Sequence, residues 1–180
     1  GYFFNLPAAL FSVIALLSYA FVYTPMKRIS PIAVFIGAIP GALPPLIGWV
    51  AETGALGDGA IVLFIFQFFW QFPHFWAIAW QVDEDYQKAG FKMLPTAAGK
   101  TKFSALLILI YTLALIPLSF FAVKASLVGW WGFGGLALCG ALFAIPAVAL
   151  YRSMDHKYAR QVMFASFFYL PLMQIVFLVG

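Results

Sequence analysis

The chain is 180 residues long, 64% hydrophobic and only 9% charged, with a formal net charge of +4 and a mean hydropathy of +0.98. Soluble domains carry about 25% charged residues, so this composition excludes that class and predicts an all-α fold, a polytopic integral membrane helix bundle whose first partner is the lipid bilayer. The positive balance sits in loops that orient the chain, which leaves no ground for nucleic-acid binding.

Apolar runs of about 20 residues, enough to cross roughly 30 Å of hydrocarbon, predict six transmembrane helices at 3–23, 31–51, 59–82, 103–122, 127–150 and 161–180. Short connections make consecutive helices antiparallel neighbours, hence a single transmembrane domain over 1–180. The first run exceeds a signal-peptide core and carries its basic residues after it, so it counts as a span. The chain starts at Gly1 and enters that run almost at once, which suggests a missing N-terminal part.

Lys27 and Arg28 follow the first run. Lys88, Lys92, Lys100 and Lys102 lie between or beside the third and fourth, and Arg152, Lys157 and Arg160 between the fifth and sixth. The second loop has Glu52 and Asp58 without a base, and the fourth has only Lys124. The positive-inside rule makes the first, third and fifth loops cytoplasmic.

The second run, "SPIAVFIGAIPGALPPLIGW", contains Pro31, Pro40, Pro44 and Pro45 among glycines. Interior prolines release backbone carbonyls and kink a helix, which membranes tolerate beside protein or a water-filled cavity. A broken helix is expected here, and it also suits a transporter.

The third run reads "GAIVLFIFQFFWQFPHFWAIAWQV", with Gln67, Gln71, His74 and Gln81 spaced to share one helical stripe. Four further residues bring that spacing to Asp85. At about 1.5 Å per residue, His74 lies roughly 13 Å and Gln67 roughly 24 Å below the acid cluster. The stripe reads as the wall of a polar cavity, although membrane Gln and His often only bond neighbouring helices. Aromatic residues Phe64, Phe66, Phe68, Phe69, Trp70, Phe72, Phe75, Trp76 and Trp80 surround it. Rings facing the cavity can stabilise a cation, while most of the others pack or meet lipid.

After that run comes "DEDYQKAGFKMLP", residues 83–95. Carboxylates at a membrane surface are suited to Mg²⁺ on a diphosphate, because Mg²⁺ takes one or two carboxylates plus phosphate oxygens and water. Nearby lysines add point charges for the phosphate. A lipid-tailed diphosphate fits, its head at the acids and its tail among the aromatics. Cys139, the single cysteine, lies in the fifth run, which excludes a disulfide or a cysteine-rich metal site within one chain.

"YTPMKR" (23–28), "IGAIPGALPPLIGW" (36–49), "FQFFWQFPHFWAIAW" (66–80) and "DYQKAGFKMLP" (85–95) occur in an order that resembles the protohaem IX farnesyltransferase, or haem O synthase, branch of the UbiA-type intramembrane prenyltransferases. "PHFW" and "AGFKMLP" favour that branch over 4-hydroxybenzoate prenyltransferases. The resemblance implies that the six helices are the fourth to ninth of a nine-helix fold, with two acid-bearing cytoplasmic segments facing a central cavity. The family's first motif, N-x-x-x-D-x-x-x-D, has no match here, so this segment alone is expected to be inactive and poorly stable. The second segment departs from D-x-x-x-D, since Gln87 and Ala89 follow Asp83 and Asp85 by four.

By the resemblance, farnesyl diphosphate and haem B are the substrates, Mg²⁺ accompanies the diphosphate, and the product is haem O on the way to haem A. It implies the bacterial cytoplasmic membrane, or the mitochondrial inner membrane in a eukaryote, with haem A synthase or other oxidase-assembly proteins as partners. Asp85, with Asp83 or Glu84, holds the metal in this scheme. Lys88 and Lys92 assist the diphosphate, and Lys27 and Arg28 bind diphosphate or haem propionates. Tyr23 and Tyr86 hydrogen-bond the diphosphate, and His74 contacts the haem iron or orients the porphyrin; Gln71, on the polar stripe of the third run, is a further substrate-binding candidate. A transporter and a non-catalytic scaffold stand as rival classes.

Overall fold

The computed structural model describes residues 5–26, 29–96 and 98–180, and every regular element among them is helical. The first span, Leu6–Met26, comprises α1 (Leu6–Leu17), a π-helical turn (Ser18–Tyr23) and α2 (Thr24–Met26). Asn5 starts it, its Oδ1 accepting from Ala8 N at 3.0 Å. Asn5 Nδ2 donates to the carbonyls of Val50 at 2.6 Å and Ala51 at 3.2 Å, near the C-terminal end of α3 (Ala33–Thr53). One side chain thus caps one helix and donates to carbonyls in the last turn of its neighbour, where Val50 O also accepts from Gly54 N at 2.9 Å.

α4 (Asp58–Gln81) and the short α5 (Asp83–Lys88) follow, then α6 (Lys102–Lys124), α7 (Trp130–Ser153) and α8 (His156–Val179). With the first span, α3, α4, α6, α7 and α8 make six helices long and apolar enough to cross a membrane. The last begins five residues before the predicted start, because Asp155 caps it by accepting from Lys157 N at 2.9 Å. That first turn carries Lys157 and Arg160, so a search for apolar runs passes over it.

α4, α6, α7 and α8 form a four-helix bundle in which α6 packs on α7, α7 on α8, α8 on α4 and α4 on α6; α3 lies against α4 and α1 against α3. The seams are readable at alternating three- and four-residue spacing. On α6 the buried series is Ala105, Ile108, Thr112, Leu115, Ser119 and Ala122; on α8 it is Ala159, Val162, Ser166, Tyr169 and Met173. Such spacing gives left-handed packing, and the small residues allow the close approach that drives helix association in lipid. Thr112 and Ser119 turn their hydroxyls onto their own helix, to Ile108 O at 2.8 Å and Leu115 O at 3.2 Å. Trp130 and Trp131 stand exposed at the end opposite the acid segment, as interfacial tryptophans do.

The expected break in the second helix is absent: α3 continues through Pro40, Pro44 and Pro45. Packing on α4 supports it. Gln71 Nε2 donates at 3.1 Å to the carbonyl of Ala38, two residues before Pro40, and at 3.1 Å to Gln67 O in its own helix. Gly41 makes room for this strut, since a Cβ there would collide with Gln71 Oε1. Gly41→Ala is therefore expected to destabilise the protein by about 1–3 kcal/mol through overpacking, read as a lowered melting temperature in detergent.

Candidate active site

α4 ends at Gln81, and Val82 (φ −114°, ψ 23°) leaves helical geometry before α5 begins. This corrects the extrapolated stripe: Asp85 is not the next position of α4's polar face but belongs to a separate, re-aimed turn. Within α5, Asp83 is half-buried while Glu84 and Asp85 are exposed. Asp83 Oδ2 accepts from Gln87 Nε2 at 2.9 Å and lies beside Gly99, where an added Cβ would stand 3.4 Å away. Asp85 makes only a loose pair with Lys88, 3.8 Å apart and largely solvated, of little energetic weight.

The segment after α5 is fastened at several points. Gly90 turns at φ +75°, and Phe91 N donates to Tyr86 O at 2.8 Å. Leu94 is buried in the main core, with Tyr86 and Met93 packed against it. At the start of α6, Ser104 Oγ donates to Gly99 O at 2.8 Å. The acid turn is therefore clamped between the bundle's end and the loop leading into α6, with Lys88 and Lys92 exposed on it.

Tyr23 closes the π-helical turn of the first span, where its ring packs over Gly37 of α3. It lies within electrostatic range of Tyr86, so the two tyrosines singled out in sequence come to the same end of the molecule. π-turns are frequent at functional sites because the extra residue redirects side chains. Lys27 and Arg28 lie outside the described residues.

Along α4 the polar residues diverge toward two neighbours. Gln71 is buried against α3 as described, and Gln81 Nε2 donates to His156 O at 3.3 Å at the start of α8. Gln67 lines an open groove of about 330 Å³ with Pro45 of α3 and Met173, Gln174 and Phe177 of α8. His74 lies two turns nearer the acid end, its Nδ1 2.8 Å from Ser166 Oγ. Trp70 stacks on the imidazole, with ring centroids 4.7 Å apart and 16° between planes, and its Nε1 donates to Ser166 O at 3.0 Å. Phe167 meets the imidazole edge-on at 5.1 Å.

Of the nine aromatic side chains on α4, Phe66, Trp70, Phe72, Trp76 and Trp80 are buried in the core, while Phe75 is exposed. Phe72 and Trp76 belong to a cluster with Phe35 of α3 and Tyr111 of α6. Ser166 lies on α8, outside the third run whose polar residues point to the site. Its signal was a hydroxyl residue inside the apolar seam series of α8.

Among the described residues no three His, Cys, Asp or Glu side chains cluster to hold a metal ion. Consecutive residues of a helical turn point about 100° apart, so Asp83, Glu84 and Asp85 do not converge on one point. What they offer is hard, partly solvated carboxylate oxygen in a small number, which fits Mg²⁺ when phosphate and water complete its shell.

A family model, the UbiA prenyltransferase family, matches residues 1–170. The chain is 50% identical over 96% of its length to a protoheme IX farnesyltransferase of Cytophaga hutchinsonii, 43% identical over 99% to one of Flavobacterium johnsoniae, and 40% identical over 98% to one of Flavobacterium psychrophilum. It spans 60% of the length of each of these relatives. No solved structure matches the chain. The chain belongs to the UbiA prenyltransferase family, and with six apolar spans it is an integral membrane protein. Family membership, together with the unbroken α3, removes the support for a transporter.

Proposed function

We propose that this protein transfers a farnesyl group from farnesyl diphosphate to the 2-vinyl group of haem B, forming haem O. The observation that carries the proposal is the clamped acid turn at one end of α4 with an imidazole-bearing α4–α8 seam beneath it, in a chain whose relatives are named protoheme IX farnesyltransferase. The acid turn faces the cytoplasm in this reading, on the strength of the lysine and arginine bias of that end.

Asp85, with Glu84 or Asp83, would hold Mg²⁺, which neutralises charge on the departing diphosphate. Of the three, Asp85 and Glu84 are the exposed carboxylates, Asp85 loosely paired with Lys88, whereas Asp83 is engaged with Gln87 and the loop at Gly99. Lys88 and Lys92 add positive charge for the diphosphate head, and Tyr23 and Tyr86 supply hydroxyl donors at the same level. The C1–O bond of farnesyl diphosphate breaks with its electron pair leaving on oxygen. The vinyl π electrons then form the new carbon–carbon bond. The resulting porphyrin-side cation takes up water and loses a proton, giving the hydroxyethylfarnesyl substituent. His74 contacts the porphyrin, and Lys27 and Arg28 take its propionates or the diphosphate. Haem A synthase, which would consume haem O, is the natural protein partner.

The test uses the full-length protein in lipid vesicles with Mg²⁺, farnesyl diphosphate and haem B, with product identified by mass. Haem O is expected. Prenylation of 4-hydroxybenzoate with haem B left unchanged would overturn the assignment.

A further inference from the structure

We propose that Ser166 is a positioning residue that holds His74 in the Nδ1–H tautomer, so that the Nε2 lone pair is free to bind the iron of the porphyrin. The inference rests on the porphyrin reading above and deepens it by naming the atom and the device that prepares it.

Proton bookkeeping at one hydroxyl carries the argument. Ser166 Oγ has a single hydrogen, and it lies 2.5 Å from Met163 O, one turn back in α8, to which it donates. Two oxygens at that separation need a proton between them. With its hydrogen so placed, Oγ meets His74 Nδ1, 2.8 Å away, only as an acceptor. Nδ1 must therefore carry the imidazole proton, and Nε2 is left with its lone pair. The hydrogen bond that the imidazole makes among the described residues is the one at Nδ1.

The surroundings hold the ring in this state. Trp70 stacks on one face and is itself tied by Nε1 to the backbone carbonyl of Ser166, so the same residue of α8 anchors both rings. Phe167 closes an edge. Ser166 is fully buried, which keeps water from competing for Nδ1. A neutral imidazole whose second nitrogen is fixed by a hydrogen bond is the usual metal-binding form of histidine, and a histidine nitrogen is a common axial haem ligand. His74 lies roughly 10 Å along α4 from its acid-side end, a depth that a porphyrin reaches with its propionates at the membrane surface.

The experiment uses full-length protein in nanodiscs with ¹⁵N-labelled histidine, in wild type, Ser166→Ala, Ser166→Thr and His74→Ala. Nitrogen NMR without haem reads the tautomer, and haem B titration followed by absorption reads ligation. The wild type is expected to show protonated Nδ1 and bare Nε2 and a nitrogen-ligated haem spectrum. Ser166→Ala should yield a tautomer mixture and bind haem about 10-fold more weakly, the cost typical of losing a residue that orients a metal ligand. Ser166→Thr, which keeps the hydroxyl, should restore both. A wild-type imidazole protonated at Nε2, or an unchanged nitrogen spectrum in Ser166→Ala, overturns the proposal. If haem B binds and is farnesylated but its spectrum is the same in His74→Ala, the proposal fails and the porphyrin reading stands. If haem B does not bind the wild type at all, both fall together.

Discussion

Asp85→Asn is expected to slow farnesyl transfer by roughly 10²–10³-fold while leaving the melting temperature unchanged. The rate effect follows from removing one fixed charge from the place where diphosphate charge develops, a loss of that size in other enzymes. The stability expectation follows from its surroundings: the carboxylate is exposed and meets only a solvated Lys88 at 3.8 Å. Asp83→Asn should behave differently. Its carboxylate accepts from Gln87 and abuts the loop at Gly99, so its replacement loosens the acid turn and lowers both activity and melting temperature. Initial rates across a Mg²⁺ titration, run beside thermal melts, separate the two. In Asp85→Asn the Mg²⁺ concentration for half-maximal rate should rise. Full activity in Asp85→Asn would remove this residue from the metal site and transfer the role to Glu84.

The second large effect is expected at His74. His74→Ala should cut haem O formation by roughly 10-fold or more, the scale set by loss of a metal-orienting contact, while farnesyl diphosphate binds within about twofold of wild type, since α4 separates the imidazole from the acid turn by roughly 10 Å. Alanine also leaves a hole between Trp70 and Phe167 and removes the donor to Ser166 Oγ. His74→Asn is therefore the sharper variant: an amide can still donate to Ser166 but has no atom in the place of Nε2. Separate measurements of farnesyl diphosphate affinity and haem O rate decide the matter. Equal losses in both would assign His74 to the integrity of the α4–α8 seam instead of the porphyrin.

Much of the fold was legible because bilayers impose a simple length and polarity code. Apolar runs located all six spans to within a few residues, and the largest discrepancy, at His156, arose where a charged interfacial turn is helical by virtue of its cap. The proline-rich second run was harder. Loss of an N–H predicts a break, but whether the helix survives depends on what packs against it, and Gln71 on the facing helix is invisible from positions 31–51.

The chemistry divides along the same line. The sequence by itself determined a polytopic helical membrane protein, the end of the bundle that carries the acids and most of the bases, and the family motifs, because composition, span length and local order need no neighbour to be read. Only the tertiary structure decided which polar groups are taken up by the bundle and which stay exposed at its acid end. Gln71 is taken up by α3, Asp83 by the loop before α6, and His74 is oriented by Ser166, a residue 92 positions away. The physical reason is that a side chain's role in low dielectric is set by the partner that satisfies it, and that partner comes from another helix.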